Sequence, residues 1–173
     1  LPLPRKIVNQ KQYCIPGGIT EISATIKDLK DAGVGIPTTS PFNSIWPMQK
    51  TDGSFRMTMD CCQLNRGVTP IAVAVPDVVL LLKQIKTSPG TLYTAIDLAN
   101  AFFSIPVHKV HEKQFAFSWQ GEEYTFIILP QEYINSPSLC HNLIQRDLDR
   151  LSLPQDTTLV HYIDHIMLIG SSE

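Results

Sequence analysis

Asp97 and Asp164 are the residues of this sequence best suited to chemistry. Asp97 ends an apolar run, Thr91-Leu92-Tyr93-Thr94-Ala95-Ile96, and Asp164 interrupts a second, Leu159 to Ile169. A carboxylate set among strand residues is costly unless something binds it. If both strands end at the same edge of one sheet, the two acids converge. Converging carboxylates suit Mg²⁺, a hard cation that takes oxygen donors and keeps waters for substrate phosphates. Two such ions, roughly 3.5–4 Å apart, can clamp the attacking and leaving oxygens of a phosphoryl transfer. Without a cation the acids repel and one takes up a proton. The competing reading is an aspartate that merely suits a turn. On the hairpin segment alone the turn reading is favoured, and the spacing of the two aspartates by itself is a weak metal signal.

The elements that must position these acids follow from periodicity. Leu159 to Ile169 reads as a tight β-hairpin with Asp164 and His165 at its turn, and Thr91–Ile96 as a buried strand running into Asp97. Upstream, Gly17-Gly18 releases a helix with Ile19, Ile22, Ile26 and Leu29 on one face, capped by Thr20 or Ser23 and stopped by Gly33. Pro37 to Pro47 is a loop. Ile45–Met48 and Phe55–Met59 form a hairpin through Lys50-Thr51-Asp52-Gly53, with Lys50 near the tip and Arg56 just beyond. Asp60 to Pro70 reads as irregular. Pro76 opens a helix carrying Val78, Val79, Leu81, Leu82 and Ile85, which Ser88-Pro89-Gly90 ends. Leu98 to Phe103 makes one helical turn, and Phe115–Trp119 with Tyr124–Leu129 a hairpin about Gln120-Gly121. Asn135-Ser136-Pro137 starts a helix with Leu139, Leu143, Ile144, Leu148 and Leu151 on its core side. The sum is an α+β fold with mostly antiparallel sheet.

The 173 residues suffice for one domain or two small lobes, and the 43% apolar content supports a packed core. A net charge of −2 gives no electrostatic case for a nucleic-acid binder acting alone. Cys14, Cys61, Cys62 and Cys140 lack metal or disulfide spacing and read as reduced. No leader and no bilayer-length apolar run is visible, so an intracellular protein without a membrane partner is expected. The start and end of the chain read as those of an excerpt. His108 and His111 lack the further ligands of a zinc site, His141 reads as a satisfied or exposed helix histidine, and neither a phosphate loop nor a nucleophile elbow is present.

Six ordered stretches sharpen the picture. Ala95-Ile96-Asp97-Leu98-Ala99-Asn100-Ala101-Phe102-Phe103-Ser104-Ile105, Leu129-Pro130-Gln131-Glu132-Tyr133-Ile134-Asn135-Ser136-Pro137 and Tyr162-Ile163-Asp164-His165 resemble successive motifs of retroviral reverse transcriptases. Leu29-Lys30-Asp31-Ala32-Gly33, Ser40-Pro41-Phe42-Asn43-Ser44, and Arg56 with Asp60 and Leu64-Asn65 extend the likeness over essentially the whole chain. The wording is nearest to gammaretrovirus-like and endogenous-retrovirus polymerases.

The resemblance implies the fingers and palm of a right-hand polymerase, with a palm catalytic hairpin at the C-terminal end. Fingers would span about 1–72 and 105–135, and palm about 73–104 and 136–173. It implies RNA-directed DNA synthesis with two Mg²⁺ ions, or Mn²⁺, on an RNA or DNA template-primer with dNTPs. Thumb, connection, RNase H and integrase would come from the rest of a Pol polyprotein. Residue by residue, Asp97, Asp164 and the Leu98 carbonyl are implied metal ligands. Lys50 and Arg56 would hold the nucleotide's triphosphate, Phe102 would gate against a ribose 2′-hydroxyl, Gln131 would lie against the sugar, and Tyr162 would meet the primer end. Without the resemblance, Lys50 and Arg56 read as a solvated pair and Phe102 as core.

Four positions depart from the family pattern. His165 stands where the third catalytic aspartate belongs, and imidazole suits softer ions than Mg²⁺. Glu132 replaces the glycine of Leu-Pro-Gln-Gly, Cys62 replaces an arginine, and a proline between Ser44 and Ile45 is missing. The expectation is a polymerase that is weak or inactive as written. Losing one strong electrostatic stabiliser costs roughly 10²–10⁴-fold in rate. The rival is a non-enzymatic remnant that at most binds nucleic acid or protein. A metal-binding protein built on His161 and His165 is a third class, which a strand hairpin serves poorly.

Overall fold

The computed structural model describes residues 1–5, 10–39, 43–71, 78–85 and 90–171. In chain order its elements are α1 (Ile19–Asp31), β1 (Gly35–Pro37), β2 (Ser44–Gln49), β3 (Phe55–Asp60), α2 (Cys62–Gly67), α3 (Val78–Gln84), β4 (Thr91–Asp97), a 3₁₀ turn (Ala101–Ser104), α4 (Lys109–Glu112), a second 3₁₀ turn (Lys113–Phe115), β5 (Ala116–Trp119), β6 (Glu122–Phe126), α5 (Ser136–Leu148), β7 (Thr158–Tyr162) and β8 (His165–Ser171). Runs of antiparallel strands separated by helices make it an α+β fold. The chain forms two compact units, Leu1–Pro70 with Phe102–Ser136, and Ile71–Ala101 with Pro137–Glu173. Among the described residues, no helix is long and apolar enough to cross a membrane.

The first unit holds an antiparallel sheet in the order β1-β6-β5 and the separate hairpin β2-β3. Ile22, Ile45, Phe115, Phe117, Leu129 and Tyr133 are fully buried in its core. Phe117 lies against Tyr124 and Phe126 at ring distances of 5.7 and 5.3 Å. Asn43 is also buried; its Nδ2 donates to the carbonyls of Gln114 (2.9 Å) and Ala116 (3.0 Å), which ties the loop before β2 to the start of β5. The β2–β3 register runs from Ser44↔Asp60 to Gln49↔Phe55. Its loop closes where Lys50 N–H donates to Ser54 O at 2.8 Å and Gly53 N–H to Lys50 O at 3.0 Å.

Helix α1 begins differently from the sequence expectation. Gly18, not Thr20 or Ser23, is its N-cap, with φ 73° and no side-chain cap. A Cβ there would stand 2.9 Å from Phe55 Cγ, so the left-handed turn and the close ring both demand glycine. Ile22 and Ile26 face the core, while Ile19 is exposed. Gly33 does end the helix: with φ 70°, it donates to Lys30 O, and Val34 N–H reaches Leu29 O at 3.0 Å. The stretch Asp60–Pro70, expected to be irregular, contains α2. The Asp60 carboxylate accepts the Cys62 N–H at 2.9 Å, which helps start that helix.

In the second unit the sheet order is β4-β8-β7, all antiparallel. Two expectations fail here. Strand β4 is an edge strand and is not buried, with Leu92 58% and Tyr93 48% exposed. On α5, Leu143 is exposed and Leu151 lies beyond the helix end and is exposed, whereas Cys140 and His141 are buried. Val79 on α3 is likewise exposed. Pro76, Ser88 and Pro89, expected to bound the α3 helix, lie outside the described residues, as do Ser40, Pro41 and Phe42. All four cysteines are free.

Candidate metal centre

Antiparallel pairing of β4 with β8 puts Asp97 directly opposite His165, and β7 pairs Tyr162 with the same residue. The turn residues are therefore Ile163 and Asp164. His165 is already the first residue of β8, which corrects the sequence reading of an Asp164-His165 turn. Leu98 N–H donates to Asp164 O at 3.0 Å, so the end of β4 is fastened to the turn. These pairings gather ligand atoms of Asp97, Asp164 and His165 within 4.8 Å of one another. The convergence expected of the two acids is present.

The imidazole of His165 stands between the carboxylates. Its Nδ1 lies 3.5 Å from Asp97 Oδ1 and its Nε2 3.5 Å from Asp164 Oδ1. Asp97 and His165 are largely exposed, at 73% and 65%, while Asp164 is 28% exposed. Water screens such contacts, so each contributes about 0–1 kcal/mol at most, even with the ring charged. The donor set of two carboxylates and one imidazole fits a single divalent cation of mixed oxygen and nitrogen preference. It does not supply the three acidic groups that the resemblance implies for a two-ion site. The Leu98 carbonyl, the fourth implied ligand, accepts the Ala101 N–H at 3.2 Å. A carbonyl oxygen has two lone pairs, so this bond leaves it one for a cation.

The turn itself is strained. Ile163 is β-branched yet has φ 56°, a left-handed conformation that costs on the order of 1–3 kcal/mol. Two buried histidines grip it. Ile163 N–H donates to His141 Nδ1 at 3.3 Å, and His161 Nε2 lies 2.7 Å from Ile163 O. Each such bond contributes about 0.5–1.5 kcal/mol net, so the pair offsets much of the strain. The two rings stack at 4.4 Å with 8° between their planes. Burial, then the neighbouring His161, holds the His141 pKa below its ordinary value. The Cys140 thiol is pushed up to about 11 by burial and then by the Asp164 charge.

Sequence reading took His141 as a satisfied or exposed helix histidine, and it is the satisfied, buried one, but it did not tie either histidine to the turn. The available signal was alternation: His161 takes an inward position on β7, and a polar ring there must find partners. His141 and Gln145, four apart, share a face of α5 and converge on it. Beside the centre, an apolar cavity of about 360 Å³ is lined by residues including Ala95, Ile96, Tyr162, Ile166 and Met167. His161 and His165 do not form a common site, because His161 turns toward His141 and Gln145.

Lys50, Arg56, Phe102 and Gln131 belong to the first unit, so the second unit alone brings together Asp97, Leu98, Tyr162, Asp164 and His165. Lys50 and Arg56 are both exposed on the β2–β3 hairpin, Arg56 opposite Met48 with Nη2 3.2 Å from its sulfur. Phe102 is half-buried on the first 3₁₀ turn and Gln131 is exposed. Asn65 braces the next residues, donating to Glu132 O at 3.0 Å and accepting from Ile134 N–H at 2.9 Å. A second cavity of about 340 Å³ is lined by Tyr13, Trp46, Asp60, Cys61, Cys62 and Glu132, among others. Two of the four departures, Cys62 and Glu132, thus share one cavity. Burial raises the Asp60 pKa, but hydrogen bonds from Cys62, Gln10 and Tyr13 outweigh it and hold the carboxyl below its usual range.

Comparison with known proteins agrees with this geometry. Residues 48–173 match the family model described as reverse transcriptase (RNA-dependent DNA polymerase). The Gag-Pol polyprotein of Walleye dermal sarcoma virus is 32% identical over 161 residues, covering 91% of this chain and 9% of the polyprotein. The Gag-Pol polyprotein of Avian reticuloendotheliosis virus is 32% identical over 159 residues, covering 86% of this chain and 14% of the polyprotein. The latter gives part of the support for a gammaretrovirus-like character. The foamy viral protease-reverse transcriptase dRH, solved in complex with double-stranded DNA, superposes with a TM-score of 0.81 at 30% identity. That match covers 98% of this chain and 28% of the solved one. The chain thus spans a small fraction of the polyproteins it matches. With Asp97 at the end of β4 converging on Asp164 of the hairpin, and its fold that of fingers and palm, the chain belongs to the retroviral reverse transcriptase family.

Proposed function

We propose that this chain is the nucleotidyl-transfer portion of a retroviral Pol polyprotein, weakened at its metal centre by His165. Supporting this reading is the convergence of Asp97 and Asp164 on the hairpin turn, with an imidazole in the third position. The first unit would be fingers, about residues 1–72 with 105–135, and the second palm, about 73–104 with 136–173, a reading that the division into two compact units supports. Template-primer of RNA or DNA and dNTPs are the substrates, and thumb, connection, RNase H and integrase are the missing neighbours. An intracellular setting follows from that descent.

In the reaction the primer 3′-hydroxyl, giving its proton to solvent, would attack the nucleotide α-phosphate; the new 3′-O–P bond forms as the α–β phosphoanhydride bond breaks and pyrophosphate leaves. Asp97, Asp164 and the Leu98 carbonyl would hold Mg²⁺ or Mn²⁺, which when bound stabilises charge on the reacting phosphate. Lys50 offers a point charge and Arg56 a planar fork to the triphosphate. Phe102 screens the sugar 2′ position, Gln131 packs against the sugar, and Tyr162 supports the primer end. Glu132 brings negative charge where the family keeps glycine, and this opposes nucleotide binding. A non-enzymatic remnant is the second reading, favoured specifically by His165 together with Glu132.

Primer extension on an RNA template tests the choice, with each protein joined to a thumb from a related polymerase. The unmodified sequence should extend roughly 10²–10⁴-fold more slowly than the His165→Asp, Glu132→Gly double variant. Robust Mg²⁺-dependent extension by the unmodified sequence would overturn the weakening, and a folded but inactive double variant would favour the remnant.

A further inference from the structure

We propose that His141 and His161 are positioning residues for the Asp164 carboxylate, acting as a stacked imidazole clamp on the peptide groups of Ile163. This rests on the reading of Asp97 and Asp164 as metal ligands. The clamp's geometry, however, stands apart from any metal.

The strained residue of the turn is the one gripped. Both backbone polar groups of Ile163 end on a histidine, its N–H on His141 Nδ1 and its C=O on His161 Nε2. The two rings come from different elements, α5 and β7, and their stack joins them into one unit. The roles are complementary. His141 must leave Nδ1 unprotonated to accept, and His161 must carry a proton on Nε2 to donate. Burial of both rings, at 4% exposure each, excludes the water that would otherwise compete. Gln145 reaches the other nitrogen of His161, with Oε1 3.2 Å from Nδ1, while its own Nε2 donates to Asp149 Oδ1 at 2.7 Å. Asp164 is the less exposed of the two acids, and its backbone carbonyl is held by Leu98 on the far side. The turn is fixed from both flanks.

The test compares isosteric pairs in the full 173-residue chain. His141→Phe keeps a flat ring and loses the acceptor, while His141→Asn keeps an acceptor near the Nδ1 position. His161→Phe and His161→Gln divide the donor in the same way. Amide hydrogen exchange at Ile163 should quicken by about tenfold or more in His141→Phe and return to within about threefold of wild type in His141→Asn. Other amides of β7 and β8 should keep their rates. Affinity for Mn²⁺ should fall by about fivefold or more in His161→Phe and recover in His161→Gln. Unchanged Ile163 exchange in His141→Phe would overturn the clamp, as would loosening of the whole hairpin in both His141 variants. Altered exchange with unaltered Mn²⁺ affinity would overturn the positioning of Asp164. If the wild type binds no Mn²⁺, the metal reading fails and the exchange arm still decides the clamp. If the Phe variants do not fold, imidazole nitrogen spectra of the wild type decide it: a protonated His141 Nδ1 contradicts the proposal.

Discussion

At the scale of single residues, function and stability are written by different side chains. On the proposed reading His165 stands where a third carboxylate would complete the centre, and its solvent-screened 3.5 Å contacts to Asp97 and Asp164 add little stability. Its replacement by Asp should therefore change metal binding far more than folding. His141 behaves in the opposite way. Burial and then His161 hold its pKa low, so the unfolded chain binds a proton that the folded chain refuses. Stability from this group is complete above its ordinary value of 6.5 and declines as the pH falls below it toward the depressed folded value. Urea titrations between pH 7.5 and 5 should show that loss, and His141→Asn should remove its histidine component. Asn43 gives a third residue-level expectation: Asn43→Ala removes the Nδ2 bonds to Gln114 O and Ala116 O, leaves Ala116 O the Asn43 backbone N–H, and should cost about 1–3 kcal/mol in the same titration.

At the scale of elements, the sequence showed periodicity well and context poorly. The β2–β3 and β7–β8 hairpins, α1 and the Gly33 stop were legible because alternation, helical spacing and a left-handed glycine are local properties. The misreadings share a cause. Whether β4 is buried depends on what covers it, and an apolar strand reads the same in either case. Whether Asp164 or Ile163 opens the turn depends on a two-residue register that only partner strands fix. Gly18 as N-cap was missed because its reason is the Phe55 ring, far away in sequence. Gly18→Ala should accordingly destabilise the first unit by about 1–3 kcal/mol, read as a lower urea midpoint. The exposed edge of β4 carries its own expectation. Leu92→Lys should reduce self-association of the chain in size-exclusion chromatography, because a charged residue on an exposed apolar edge discourages strand pairing. Equal association of both proteins would argue against that edge as the cause.

At the scale of the whole molecule, composition was silent and order of motifs was decisive. A net charge of −2 does not suggest a nucleic-acid enzyme. The succession of Asp97, the Gln131 loop and the Asp164 hairpin did point to the reverse transcriptase family, and the family model and fold agree. What the motifs could not reveal is the grip of His141 and His161 on Ile163, because neither belongs to a catalytic pattern and their hydrogen bonds come from two separate elements. The central claim is that the hairpin holds a divalent cation on two acids and lacks the third. Its most direct measurement is a Mn²⁺ titration of the 173-residue chain followed by electron paramagnetic resonance. Wild type should bind measurably, Asp97→Asn should bind far more weakly, and His165→Asp should bind about tenfold or more tightly than wild type. Equal affinity in all three proteins would contradict the account.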